Sequence, residues 1–193
     1  MYMEVKAMGK KVIGILVGSL RRESFSKKIA LHLAGLLKAH FDVKFLDIGN
    51  LAMYNQDLDD DNATPKAWQD FRQEVKALDG VLFVPPEYNR SFPPVLKNAL
   101  DIASRPYGKN AWAGKPGAAV SVSPGKLGGF GANHHLRQAV AFLDIFMMGQ
   151  PEAYIGEVIP MLNETGVADE NLKKFLQLFA DSFVKWVNRI LPH

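Results

Sequence analysis

Cysteine is absent from the 193-residue chain, and that removes several chemistries at once. There can be no disulfide, no thiolate nucleophile and no cysteine-ligated zinc or iron–sulfur centre, so electron transfer, if any, must run through a bound cofactor. No apolar run approaches the roughly 20 residues that span a bilayer. Met1–Lys11 lacks the apolar core of about 7–15 residues that marks a signal peptide, so a cytoplasmic protein without membrane contact is the simplest reading. A strong charge of one sign is missing too, with 23 Lys and Arg against 20 Asp and Glu. The stretch Glu87–Lys126 carries Arg90, Lys97, Arg105, Lys109, Lys115 and Lys126 against Glu87 and Asp101. It suits an anionic small molecule and lacks the density and aromatic interleaving of a nucleic-acid surface. Asp57–Asp61 opens like a calcium loop, but Asn62 and Trp68 stand where such a loop needs Gly and Glu, so a solvated acidic loop is expected. His134 and His135 are neighbours and face different ways on a helix, which gives no metal pair. There is no Gly-x-Ser-x-Gly elbow for a hydrolase, and no Walker lysine follows the first loop.

What the chain does have is 48% hydrophobic and 22% charged residues, the balance of a globular fold. A single domain over residues 1–193 is expected, with 1–10 as a loose N-terminal tail. Val12–Val17 is an unbroken apolar run, as in a strand covered on both faces. Ser24–His40 shows helical spacing through Ile29, Leu33, Leu36 and Leu37. Phe41–Ile48 alternates apolar and polar residues like a half-covered edge strand. Gly49–Asn62 reads as a polar loop, after which Thr64 can cap a helix starting at Pro65. Gly80–Val84 is a buried strand stopped by Pro85–Pro86, and Pro93–Pro94 opens the next helix. Gly117–Val122 is a fourth strand, a helix runs from about Ala132 through Leu136, Val140, Leu143 and Phe146, and Glu152–Gly156 is a short fifth strand. The last helix runs from Asp169 or Glu170 to about Leu191. Five strands alternating with five helices predict an α/β fold, a flavodoxin-like parallel sheet of order 2-1-3-4-5 with helices on both faces. Ligands of such sheets bind beyond the carboxyl ends of the strands, where strands one and three diverge.

Three loops meet at that point. In Gly18–Ser26, a strand empties into a helix N-terminus whose bare amides and dipole favour an anion. Ser19, Arg21, Ser24 and Ser26 can complete a phosphate cage there. A βα loop with an ordinary serine cap is the alternative. Arg22, Lys27 and Lys28 are expected on a solvated helix face. In Pro85–Phe92, Tyr88 either offers a flat surface to an aromatic ligand or packs against its own helix. The backbone of Glu87–Asn89 either meets ligand heteroatoms or makes an ordinary turn. In Ser123–Gly131, four glycines suit close backbone approach to a flat ring, but their spacing is not Gly-x-Gly-x-x-Gly.

Gly18-Ser-Leu-Arg21-x-x-Ser24-Phe25 and Pro86-Glu-Tyr-Asn89-x-Ser91-x-Pro93-x-x-Leu96-Lys97-Asn98-Ala99-Leu100-Asp101 resemble the two signatures of the NADPH-dependent FMN reductase family. Within it, the bacterial chromate/quinone reductases and related azoreductases are most similar. His135-Leu-Arg137-Gln and Gln150-Pro-Glu152 extend the likeness over Val12–Glu152. The resemblance implies non-covalent FMN, with NADPH or NADH as hydride donor and quinones, azo compounds or chromate-like oxyanions as acceptors in a ping-pong cycle. Ser19, Arg21, Ser24 and Ser26 would then hold the phosphate, with Gly18, Leu20 and Phe25 of the same loop also binding the cofactor. Pro86, Glu87, Tyr88 and Asn89 would lie along the isoalloxazine, and Ser123 and Gly125 near the ribityl chain and pyrimidine edge. The flavin N5 carries the chemistry, so no catalytic side chain is implied, although Arg90 could contact substrate. Ser26 stands where relatives often carry Asn, and Arg90 where they often carry an aromatic. A homodimer or homotetramer is implied as well. The rival class is a flavodoxin-type electron-transfer protein with no substrate site of its own.

Overall fold

The computed structural model describes residues 9–60 and 63–192. Most of the expected N-terminal tail (residues 1–8), and Asp61 and Asn62 of the acidic loop, lie outside the described residues. β1 (Val12–Val17), β2 (Asp42–Phe45), β3 (Gly80–Val84) and β4 (Pro116–Val122) form the body of a parallel sheet in the order β2-β1-β3-β4-β5. All of β3 and β4 is buried, which explains why both read as continuous apolar runs, whereas edge strand β2 is mostly exposed. The fifth position is divided between two short segments. β5 (Phe146–Met147) pairs with the start of β4 at Pro116 and Gly117, and β6 (Ala153–Ile155) pairs with its end at Val120–Val122. Only β6 is expected from the sequence: Phe146 reads there as part of the preceding helix, but that helix stops at Phe142, Asp144 turns the chain at φ 59°, and Phe146 opens β5.

Alternation along the strands fills two layers. Ile13, Ile15, Leu82, Val84, Ala118 and Val120 face α1 (Phe25–Leu37) and α6 (Glu170–Ile190). Leu16, Val81, Phe83 and Ala119 face α3 (Lys66–Lys76), α4 (Pro94–Ala103) and α5 (Phe130–Phe142). α1 is fixed at its start by Ser24, whose Oγ accepts the Lys27 N–H at 3.1 Å, and buries Ile29, Ala30, Leu33, Ala34 and Leu37 on one face. Asp169 caps α6 in the same way through the Leu172 N–H at 2.7 Å. A hairpin of β7 (Leu162–Asn163) and β8 (Gly166–Val167), not foreseen in the sequence, covers α1. Its tip is held by Asn163 Oδ1, which accepts the N–H groups of Thr165 and Gly166.

Two details of the segment after β2 depart from expectation. Thr64 does not cap α3. The cap position is Pro65, and the Thr64 hydroxyl donates instead to Asp59 Oδ1 at 2.9 Å. The acidic run is not uniformly solvated either. Gln56–Asp60 forms a short helix, α2, and the Asp59 side chain is only 4% exposed, held by Arg72 through two bonds of 2.9 and 2.6 Å. Arg72 Nε also donates to Ile102 O at 2.9 Å. Asn98 and Trp68 pin the same segment, through Tyr54 N and the carbonyls of Leu51 and Ala52.

Candidate active site

Backbone bonds knit the three loops together at the carboxyl end of the sheet. Gly18 N–H donates to Val84 O at 3.2 Å and Val122 N–H to Pro85 O at 3.1 Å, and Ser123 N–H continues the pattern to Ile155 O at 2.9 Å. Gly18 sits close against the second loop, where a Cβ would lie 3.2 Å from both Pro85 Cα and Pro86 Cδ, tighter than ordinary contact. Above this floor opens a cleft of about 210 Å³ lined by Ser19, Arg21, Ser24, Phe25, Ser26, Pro86, Glu87, Tyr88 and Ser123. Val122 and Pro124 also line it and were not singled out in the sequence, although both flank Ser123.

The first loop has groups to spare. Ser24 is 3% exposed and spends its oxygen on capping α1. Ser26 is 2% exposed as a residue and lines the cleft; its hydroxyl makes no hydrogen bond among the described residues and, since no side-chain oxygen there is both shut off from solvent and unpaired, it opens on the cleft. Arg21 likewise makes no ion pair among the described residues, and its guanidinium lies 5.7 Å from the Phe25 ring centroid. Ser19 Oγ accepts the Arg21 N–H at 3.4 Å. The first-turn amides of Phe25 and Ser26 have no intrahelical acceptor. A nearly buried hydroxyl, an unpaired cation and bare amides on one wall make a donor set that fits a phosphate monoester.

The second loop is a tight turn. Tyr88 and Ser91 exchange N–H···O bonds of 2.8 and 2.9 Å, and Asn89 and Arg90 between them have φ of 49° and 66°, the signature of a type I′ turn. Asn89 and Arg90 occupy this turn and do not line the cleft, whereas Tyr88 lines it and is 45% exposed. Glu87 anchors the turn, its Oε2 accepting the Ala132 N–H at 3.2 Å in the first turn of α5 and its Oε1 lying 3.3 Å from Arg90 Nη1. The helix dipole favours a carboxylate at that end.

The third loop corrects its sequence reading. Gly128 and Gly129 have φ of 61° and 76°, and their missing side chains make room for protein. A Cβ at Gly128 would lie 2.5 Å from Tyr154 C, and one at Gly129 would lie 2.9 Å from Ser121 Cβ. Both glycines therefore close the turn against β4 and β6 and do not admit a flat ring. Gly129→Ala is expected to cost about 1–3 kcal/mol through strain and overpacking, read as a lowered urea midpoint. Gly125 differs, with only Ser123 Oγ within 4 Å of its missing Cβ. Its N–H donates to that oxygen at 3.0 Å. Gly18, Leu20 and Gly125 were nominated and do not line the cleft. Leu20 leans outward at 62% exposure, over Gly49.

The basic stretch is not a patch around this cleft. Arg90 is paired with Glu87 and Lys97 with Asp101. Arg105 follows α4 and Lys115 precedes β4, so both sit at the opposite end of the sheet, where Lys115 donates to Leu78 O. Among the described residues no group of three His, Asp or Glu could hold a metal ion, and no helix is long and apolar enough to cross a membrane.

A doubly wound sheet with a phosphate-competent cleft at its switch point defines a flavodoxin-like nucleotide-binding protein. Residues 11–159 match the family described as NADPH-dependent FMN reductase. A quinone reductase from Pseudomonas putida is 49% identical over 175 residues, 91% of this chain and 94% of the relative. A 2-hydroxy-1,4-benzoquinone reductase from a Burkholderia species is 47% identical over 91% of this chain and 95% of its own length. Among solved structures, the flavoenzyme NAD(P)H:(acceptor) oxidoreductase FerB from Paracoccus denitrificans superposes with a TM-score of 0.87 at 39% identity. That match covers 93% of this chain and 98% of FerB. The chain belongs to the NADPH-dependent FMN reductase family, and is an oxidoreductase that uses FMN and NAD(P)H.

Proposed function

We propose that the chain is an NAD(P)H:quinone reductase that also serves azo compounds and chromate-like oxyanions, admitting donor and acceptor in turn to one open face. The observation that carries this reading is the set of unspent donors at Arg21, Ser26 and the start of α1, beside an exposed tyrosine. When bound, FMN supplies a ring that takes hydride from a nicotinamide and passes two electrons to the acceptor. The chain's own residues position it. Arg21, Ser26 and the α1 amides would hold the phosphate, with Ser19, Ser24 and Phe25 shaping that end. Ser123 would lie along the ribityl chain and pyrimidine edge, and Pro86, Glu87 and Tyr88 along the ring, with Gly125 and Asn89 behind them in their turns. Glu87 fixes the turn to α5, and no side chain in the cleft needs to act as a nucleophile.

The cleft, about 210 Å³, is smaller than the roughly 300–1,000 Å³ of sites that enclose a whole ligand. Such a site leaves part of the ring open to a second molecule, which supports one shared face and alternating occupancy. Arg90, exposed at the tip of the turn, would meet an anionic acceptor there. Homodimer or homotetramer assembly belongs to the same reading. A second copy would close the open side, where Leu20 and Tyr88 offer exposed apolar surface.

The test is an anaerobic visible spectrum of the FMN-loaded protein. NADPH should bleach the flavin absorbance, a benzoquinone should restore it, and steady-state double-reciprocal plots should be parallel. Bound flavin that stays oxidised with both NADPH and NADH would instead identify an electron-transfer protein.

A further inference from the structure

A second cavity, of about 430 Å³, opens between the first turns of α1 and the tip of the β7–β8 hairpin. Its volume is in the range of small-ligand sites, and no part of the proposed FMN site accounts for it. Arg22 and Lys27, expected on a solvated face, stand in its wall, and neither makes an ion pair among the described residues. Lys28 is committed elsewhere, donating to Asn163 O at 2.8 Å and lying 3.8 Å from Glu23. Leu31, His32 and Val167 give the cavity an apolar and aromatic side, while Glu23 and Glu164 also reach it. Ser24 lines both this cavity and the cleft. The two spaces therefore adjoin at the residue beside the proposed flavin phosphate.

We propose that this cavity takes the adenylate half of a flavin dinucleotide, so that the chain accepts FAD as well as FMN. The inference rests on the reading that places a flavin phosphate at Ser24 and Ser26. A pyrophosphate continues one phosphate directly into the next, and the uncommitted cations stand where that second phosphate would emerge. A purine needs a flat, partly apolar platform, which His32 and Leu31 provide. The adenylate of NADPH fits less well. The wall that the two spaces share is Ser24, at the flavin phosphate, whereas a nicotinamide must lie over the ring at the Tyr88 side of the cleft, away from that junction.

The test is calorimetric titration of the flavin-free full chain with FMN and with FAD. Two variants spare every side chain assigned to the FMN site. Arg22→Glu combined with Lys27→Glu reverses the free charge, and Thr165→Trp fills the cavity from the exposed hairpin tip. Wild type should bind FAD within tenfold of FMN. Each variant should raise the FAD-to-FMN ratio of dissociation constants tenfold or more, the ratio cancelling any general electrostatic effect on the shared phosphate. FAD binding more than 100-fold weaker than FMN in wild type, or a ratio unmoved by both variants, overturns the inference and leaves the FMN reading intact. Failure of FMN itself to bind overturns that reading and this inference with it.

Discussion

Arg72→Met is expected to lower the unfolding free energy by about 3–5 kcal/mol at neutral pH, because it strands the Asp59 carboxylate inside the protein. The side chains of the pair are 9% and 4% exposed. The bonds from Arg72 hold the Asp59 carboxyl below its ordinary range, against the opposite pull of burial. The sign of the pH dependence follows. A carboxyl lowered on folding contributes stability above its unfolded value, about 3.9, and that contribution is lost as pH falls through the folded value. The stability gap between wild type and Arg72→Met should therefore narrow in acid, where protonated Asp59 no longer needs a cation. Adding Asp59→Leu to Arg72→Met should recover part of the loss, since an apolar pair is cheaper to bury than one unpaired charge. Urea unfolding of the three proteins at pH 7 and at steps from about pH 4 down to about pH 2 decides it. A gap that is constant with pH would show that the pair acts through packing alone.

That ion pair marks the limit of what the sequence discloses. Asp57–Asp61 looks like a solvated run because its local composition is acidic, and the residue that buries one member is thirteen positions further on, in another helix. The strands that build the cleft were readable for the opposite reason. Burial on both faces writes itself locally, as in Val12–Val17 and Gly80–Val84. The cleft loops were readable because proline and serine after a strand leave few structural choices. Glycine was less informative. Gly128 and Gly129 record that something comes close to the backbone, and in the sequence a flat ligand and the chain's own Tyr154 and Ser121 are indistinguishable. Segments of two residues, such as β5 or either arm of the β7–β8 hairpin, are too short to show a period at all. The asparagine and glycine that hold the hairpin tip, Asn163 and Gly166, were its only trace.

Ser26→Ala combined with Arg21→Ala is expected to weaken FMN binding about 100-fold or more, since two groups are lost together, while leaving riboflavin binding within about twofold. Hydrogen bonds to a charged group contribute about 1.5–3 kcal/mol, and about 1.4 kcal/mol is a factor of ten. The two serines at the start of α1 separate structure from function. Ser24 caps the helix, so Ser24→Ala removes a bond the folded protein uses and should cost about 1 kcal/mol of stability even without flavin. Ser26 is as deeply buried and gives its hydroxyl to no described residue. Its loss should leave the apoprotein's melting temperature nearly unchanged, because the hydroxyl opens on the cleft and gives up no bond within the protein. Arg21, exposed and unpaired, should behave alike. Riboflavin has the same ring and ribityl chain without the phosphate, so the FMN-to-riboflavin preference isolates these groups. A double variant that binds both flavins less well by the same factor would mean that the loop shapes the cleft without holding a phosphate. If instead the FMN preference collapses while the fold stays intact, the hydroxyl and guanidinium owe their placement to the ligand.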